Sequence, residues 1–385
     1  MKTEKKHPEK RTQKGFSLLE TIITMSLFFI ILFGVYTMII HYGDVSKTEH
    51  SRIRLHQESR YMSSAFAAEL KEAGSTLTLL HTAGLLDDTP YFNGLLPLNS
   101  TTFPDGLIVA TGDPEAVTSL KSDYTPPGTV LNVESATVPG YDPSYPNEIP
   151  EWSAGQKGII VGKNGFYIFY VKEADPDANT ITVRTEPVYY SGQLSISGSG
   201  NFSYDDDLGG STTGNNITYT SKTPVIRLTT FSIYLFREKV LSGINRKIRE
   251  LIRVTDTNGQ ANPLAEDSTA EVSVISENIY DMQISYITFD NFKSANRSSQ
   301  PDHSYFIGGS TSTSVTDLMT EIRERRLKQI NIDIVSITDQ YGGRGKADLQ
   351  VPALGDQASY SLPEGKYGFK LSSLSVEPRN FNIIL

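Results

Sequence analysis

The sequence predicts an α+β protein. One long N-terminal α-helix, a membrane anchor continued by an amphipathic half, packs on an antiparallel β-rich globular domain. Three observations predict it. The first forty residues hold an apolar run of membrane length. No proline occurs between Pro8 and Pro90, and apolar residues recur there at helical spacing. Beyond Gly74 the chain turns to Pro, Gly, Thr and Asp, with short apolar runs that read as strands.

The helix opens on Lys14-Gly15-Phe16-Ser17-Leu18-Leu19-Glu20. Residues 1–15 carry six Lys/Arg against two Glu, so this leader is +4. After Gly15 the chain is uncharged to Ile40 except for Glu20. Thr21 to Ile40 is about 20 residues, enough to span a bilayer. A secretory signal has a shorter apolar region followed by small residues at a cleavage site. Here His41-Tyr42-Gly43-Asp44 follows, so the helix is expected to stay attached. The basic leader orients the N-terminus to the cytoplasm. An acid inside such a span costs about 2.5–3.5 kcal/mol at the bilayer centre, so Glu20 is a functional residue that needs a partner.

Basic leader, Gly15, Phe16 and an early Glu20 in an apolar helix together resemble the type IV prepilin signal. The resemblance implies cleavage between Gly15 and Phe16 by a prepilin peptidase. It implies N-methylation of Phe16, which keeps the amine positive. It also implies that Glu20 pairs with the Phe16 amine of a neighbouring subunit and so sets the axial register of assembly. In low dielectric that attraction is large, and leaving either charge alone is costly.

From Ser46 the helix becomes charged. Leu55, Met62, Phe66, Leu70 and Ala73 form an apolar stripe, while Arg54, Glu58, Arg60 and Lys71 lie opposite. Gly74-Ser75 stops the helix. Residues 16–73 would run about 87 Å. The expected organisation is a leader at 1–15, a transmembrane and assembly helix at 16–42, an amphipathic half at 43–74 and an extracytoplasmic β-rich domain at 75–385.

Within that domain, residues 75–157 read as loops and short strands such as Leu107-Ile108-Val109. Turns are marked at Pro104-Asp105-Gly106, Pro126-Pro127-Gly128 and Pro139-Gly140-Tyr141. Ile159–Val161 and Phe166–Val171 flank Gly162-Lys163-Asn164-Gly165, a hairpin signal. Asp175-Pro176-Asp177-Ala178-Asn179 turns into a strand at Thr180–Val183. Residues 191–222 are Ser/Gly/Thr/Asn-rich and read as a flexible loop. Strands follow at 225–237, 246–255 and 280–286. Thr316 caps an expected helix to about Leu327, and Ile330, Ile332 and Ile334 alternate in a further strand. Tyr367–Leu371 and Leu374–Val376 close the chain as strand-like pieces.

The helix end, Arg54 to Arg60 and Glu69 to Gly74, resembles that of PilW-type minor pilins. So do Ser276–Tyr286, Leu327–Ile332 and the closing Arg379-Asn380. The J-type minor pseudopilins share this plan. The resemblance implies a subunit that joins, primes or caps a type IV pilus. The alternatives are a minor pseudopilin of a type II secretion or DNA-uptake apparatus, and a pilus-borne adhesin or ligand-binding domain. The implied partners are other pilin subunits, the prepilin peptidase, the inner-membrane assembly platform and, before assembly, membrane lipid. The resemblance implies that the subunit passes from the cytoplasmic membrane, as a prepilin with its N-terminus inside, to a pilus fibre on the cell surface.

Composition narrows the chemistry. The chain is 38% apolar and 21% charged, which supports a sizeable core. It has no cysteine, so disulfides, thiolate metal sites and cysteine nucleophiles are excluded. The whole chain is −9, so removal of the +4 leader leaves −13, which disfavours a nucleic-acid surface. Lys247, Arg249 and Arg253 on one strand face, with Arg246 on the other, and the cluster Arg323, Arg325, Arg326 and Lys328 read as solvated. Gly342-Gly343-Arg344-Gly345-Lys346 lacks phosphate-loop spacing. Asp205-Asp206-Asp207 and Asp256-Thr257-Asn258-Gly259 are acidic turns without a full calcium loop. His50 and His56 lie on different helix faces and are expected to be exposed. No catalytic residue, cofactor or metal is expected, and the chain does not read as an enzyme.

Overall fold

The structure is a computed structural model. It describes residues 17–77, 94–98, 104–135, 152–162, 165–190, 193–196, 202–205, 218–241, 246–259, 268–277, 279–288, 303–306, 327–337, 350–352, 359–361 and 369–381.

One helix, α1, runs from Leu18 to Glu72, 55 residues and about 82 Å. Ser17 caps it, its Oγ accepting the Leu19 amide at 3.2 Å, and Glu20 sits in the positive first turn. The helix stops where the sequence predicts. Ala73 is the C-cap and Gly74 takes φ +71°, a left-handed geometry that favours glycine. A side chain on Gly94 would also collide there, its Cβ 2.5 Å from the Gly74 Cα.

The chain then builds β1 (Leu95–Leu98), β2 (Gly106–Ser119), β3 (Val130–Asn132), β4 (Lys157–Gly162), β5 (Gly165–Asp175), β6 (Thr180–Val183) and β7 (Tyr189–Tyr190). A separate two-stranded ladder pairs β8 (Gln193–Ile196) with β9 (Phe202–Asp205). Composition alone reads this segment as a loop without pairing. The strands β10 (Pro224–Leu241), β11 (Arg246–Asp256) and β12 (Glu271–Ser276) return to the first sheet. That sheet has ten strands in the order β1-β2-β10-β4-β5-β6-β3, with β11 added beside β10, β12 beside β11, and β7 beside β5. A four-stranded sheet follows from β13 (Ile279–Thr288), β14 (His303–Phe306) and β15 (Leu327–Ile337). A short ladder of β16 (Gln350–Val351) with β17 (Tyr360–Ser361) precedes its last strand, β18 (Phe369–Val376). The order is β14-β13-β15-β18. A 3-10 turn, Arg379–Phe381, closes the described chain.

The expected hairpin forms, with Gly162 opposite Gly165 and Lys163-Asn164 between. The Asp175 turn forms too: its Oδ1 accepts the Ala178 amide at 3.0 Å, and Asn179 takes φ +53°. Strand β2 is longer than the expected short piece. The ladder to β10 shifts register around Gly112, and the irregularity tolerates Pro114 inside the strand. The alternation of Phe231, Ile233 and Leu235 predicts one buried face for β10, whereas Phe231 to Phe236 is buried throughout. The central strand has cover on both sides. Leu327, the expected helix end, is the first residue of β15; residues 316–326 lie outside the described residues, as does the turn at Pro139.

The main core runs from Met62, Phe66 and Leu70 of the helix through both sheets to Ile332 and Val376. A second core around Trp152, Tyr167 and Phe169 fills the lobe of β3 to β6. Asp105 joins the two sheets. Read from sequence as a turn residue, it is buried; its amide donates to the Met282 carbonyl and its Oδ2 accepts the Ile284 amide, both at 2.8 Å.

Candidate assembly helix and its seat on the domain

Two halves of α1 meet different surroundings. Residues 17–43 are exposed throughout, from Leu18 and Leu19 through the Phe28–Phe29 edge pair to Tyr42. The span is long and apolar enough to cross a membrane. Its hydroxyls are satisfied within the helix. Thr24 Oγ1 donates to the Glu20 carbonyl at 2.7 Å, Ser26 Oγ to Ile22 at 2.8 Å and Thr37 Oγ1 to Phe33 at 2.8 Å. Such back-bonding lets a polar side chain enter a bilayer without water. Glu20 differs. Its side chain is exposed, and among the described residues nothing pairs with its carboxylate. Gly15 and Phe16 lie outside the described residues.

The second half is seated on the domain. All five residues of the sequence-predicted stripe, Leu55, Met62, Phe66, Leu70 and Ala73, are buried, and Ser59 joins them. Phe66 packs on Tyr234 of β10 with ring centroids 4.6 Å apart. Glu69 reaches Arg253 of β11 at 3.3 Å, and Arg253 Nε donates to Ser232 Oγ at 2.8 Å. Burial, and after it the Glu69 carboxylate, raise the Tyr234 phenol above its ordinary range. Nearer the exposed half, Ser59 Oγ donates to Ser372 Oγ at 2.8 Å, and Lys370 Nζ lies 3.0 Å from His56 Nδ1.

The last turn of the helix is held by β2 and by the closing 3-10 turn. Gly74 N donates to Ala110 O at 2.9 Å, and Thr111 Oγ1 to Glu72 O at 3.3 Å. Asn380 Nδ2 donates to Glu72 O at 3.1 Å and Ala73 O at 2.9 Å. The Thr111 and Asn380 bonds satisfy carbonyls that a helix end leaves open.

The other sequence candidates are spent internally. Arg249 donates to Tyr280 O at 3.1 Å and stacks on the Tyr280 ring, and Arg253 is bound as above, so this strand offers no free basic face from those two. Asp256 is buried and bound to Arg184 at 2.8 Å; its Oδ1 also accepts the Asn258 amide. Thr257 Oγ1 donates to Val188 O. That turn is closed by an ion pair rather than open for calcium. Among the described residues no group of three or more His, Asp and Glu could hold a metal. His50 and His56 are exposed, as expected. The sequence assigns no partner to Asn380, Ser372 or Glu69, because each binds a residue far away in the chain; the polar Ser59 inside an apolar stripe is the one local signal.

Residues 10–36 match the prokaryotic N-terminal methylation motif. The match covers Gly15, Phe16, Glu20 and most of the exposed span, as far as Tyr36. It supports a type IV pilin-like prepilin, a pilus or pseudopilus subunit. No curated protein and no solved structure matches the chain. Motif and apolar helix together support membrane anchoring, and the motif indicates a structural subunit rather than an enzyme. Prepilins of this kind are cut by a prepilin peptidase and assemble with other pilins.

Proposed function

We propose that the chain is a minor pilin that joins, primes or caps a type IV pilus through its N-terminal helix. Residues 1–15 leave as the leader by cleavage between Gly15 and Phe16. The new Phe16 amine is methylated, and Glu20 pairs with that amine on a neighbouring subunit. Residues 16–42 then enter the fibre core, residues 43–74 pack against the globular domain, and residues 75–385 face outward. The subunit moves from the cytoplasmic membrane, its N-terminus inside, to the cell surface.

One observation carries this reading: Glu20 is the only charge in a span whose threonine and serine hydroxyls bond to their own helix. A charge at the bilayer centre costs about 2.5–3.5 kcal/mol, less near the end of the span where Glu20 lies, and a cation from outside the chain relieves that cost. The test is Glu20→Ala. Leader removal should proceed normally and incorporation into fibres should fall; normal incorporation rejects the pairing role.

A further inference from the structure

Four polar side chains crowd the first two turns of α1. Ser17, Glu20, Thr21 and Thr24 stand at i, i+3, i+4 and i+7, which is one helix face. The same face continues as Phe28, Ile31 and Val35, all apolar. The polar patch is therefore short and centred on Glu20, and every residue in it is exposed.

The threonines of the patch turn their hydrogens inward. Thr24 Oγ1 lies 2.7 Å from the Glu20 carbonyl and 3.0 Å from the Thr21 carbonyl, and Thr21 Oγ1 lies 3.3 Å from the Ser17 carbonyl. A carbonyl only accepts, so each threonine commits its one hydroxyl hydrogen to its own helix. Ser17 Oγ accepts the Leu19 amide. What Thr21 and Thr24 offer outward is lone pairs. An ionised Glu20 carboxylate also only accepts. The face beside Glu20 therefore takes donors and repels anions, which disfavours a lipid phosphate and fits a cation.

We propose that Thr24 completes the cation site of Glu20, and that the two together receive the terminal ammonium of an adjacent subunit. The inference rests on the pairing proposed for Glu20 and adds its second acceptor. Glu20 and Thr24 are i and i+4, with about 5–6 Å between Cβ atoms. One nitrogen between the two side chains reaches both with bonds of about 2.9 Å. A singly methylated ammonium carries two N–H donors. One goes to the carboxylate and the other to Thr24 Oγ1, so neither is left open in apolar surroundings, where an unmade bond is costly.

The experiment is a competition in cells. Wild-type chain and variant, each with its own C-terminal tag, are expressed together, and their ratio in sheared fibres is divided by their ratio in the membrane. Thr24→Val keeps the shape and removes the oxygen. It should lower that quotient about threefold, the scale of one hydrogen bond between membrane helices. Thr24→Ser keeps the oxygen and should match the wild type. Thr37 Oγ1 bonds to the Phe33 carbonyl in the same way at 2.8 Å, about five turns from Glu20, and Thr37→Val should leave the quotient unchanged. If Glu20→Ala lowers the quotient and Thr24→Val does not, the role of Thr24 is overturned and the Glu20 pairing stands. If Glu20→Ala leaves it unchanged, both fall. A loss in Thr24→Ser or in Thr37→Val equal to that in Thr24→Val also overturns the role of Thr24.

Discussion

Asn380 donates from one amide nitrogen to the carbonyls of both Glu72 and Ala73, joining the last described turn of the chain to a helix end 308 residues earlier. The long helix is therefore pinned from the C-terminal side as well as by β2. Asn380→Ala leaves those carbonyls without that donor. It should cost about 1–2 kcal/mol, seen as a lower midpoint in urea unfolding of the full chain in detergent. Asn380→Asp, which has no donor when ionised, should be at least as damaging; a wild-type midpoint in both would show that the clamp is idle.

Phe66 fills the centre of the seat. It is buried against Tyr234, and no other side chain of the helix stripe is as large. Phe66→Ala should cost about 3–5 kcal/mol. The exposed Tyr61→Ala, five residues earlier on the outer face, should stay within about 0.5 kcal/mol. The same unfolding measurement ranks them, and equal losses would contradict the assignment of faces.

Glu250 is fully buried on β11 opposite Arg237 of β10, which holds its Oε2 at 2.7 Å. Arg237→Ala removes the guanidinium from a buried carboxylate and should cost about 3 kcal/mol, the low end for a buried pair because Arg237 is partly exposed. The double change Arg237→Met with Glu250→Leu should recover most of that loss. A double mutant no better than the single would refute the desolvation account.

Four phenols resist ionisation. Burial, the leading cause in each, raises Tyr124, Tyr167, Tyr234 and Tyr286 above the ordinary value of 10.0. The folded state holds protons that the unfolded chain gives up above about pH 10. Their contribution to stability is complete below that pH and declines as pH rises through it. Titration followed by phenolate absorbance should show these four ionising together with the loss of strand circular dichroism. Early ionisation in a still-folded protein would show that they are accessible.

The helix was legible in the sequence because its signals are local. Spacing located Leu55 to Ala73, and Gly74 marked the end. The β4–β5 hairpin and the Asp175 turn were legible for the same reason. What stayed hidden depends on distant partners. Asp105 looks like a turn residue until β13 arrives to receive it. Asp256 looks like an exposed acid until Arg184 closes on it. Arg249 and Arg253 look like a basic face until Tyr280, Ser232 and Glu69 are packed beside them. The two-sided burial of β10 follows from sheet order, which no local pattern encodes. At the candidate site the order Gly15, Phe16, Glu20 lies within six residues of sequence and inside the matched motif, so its signal is local, whereas the pairing proposed for Glu20 needs a second subunit.

The most direct test of the central claim is mass spectrometry of the mature N-terminus, on protein from cells with an active prepilin peptidase. The account predicts a chain that begins at Phe16 with a methylated amine. A chain that still carries residues 1–15 would contradict it.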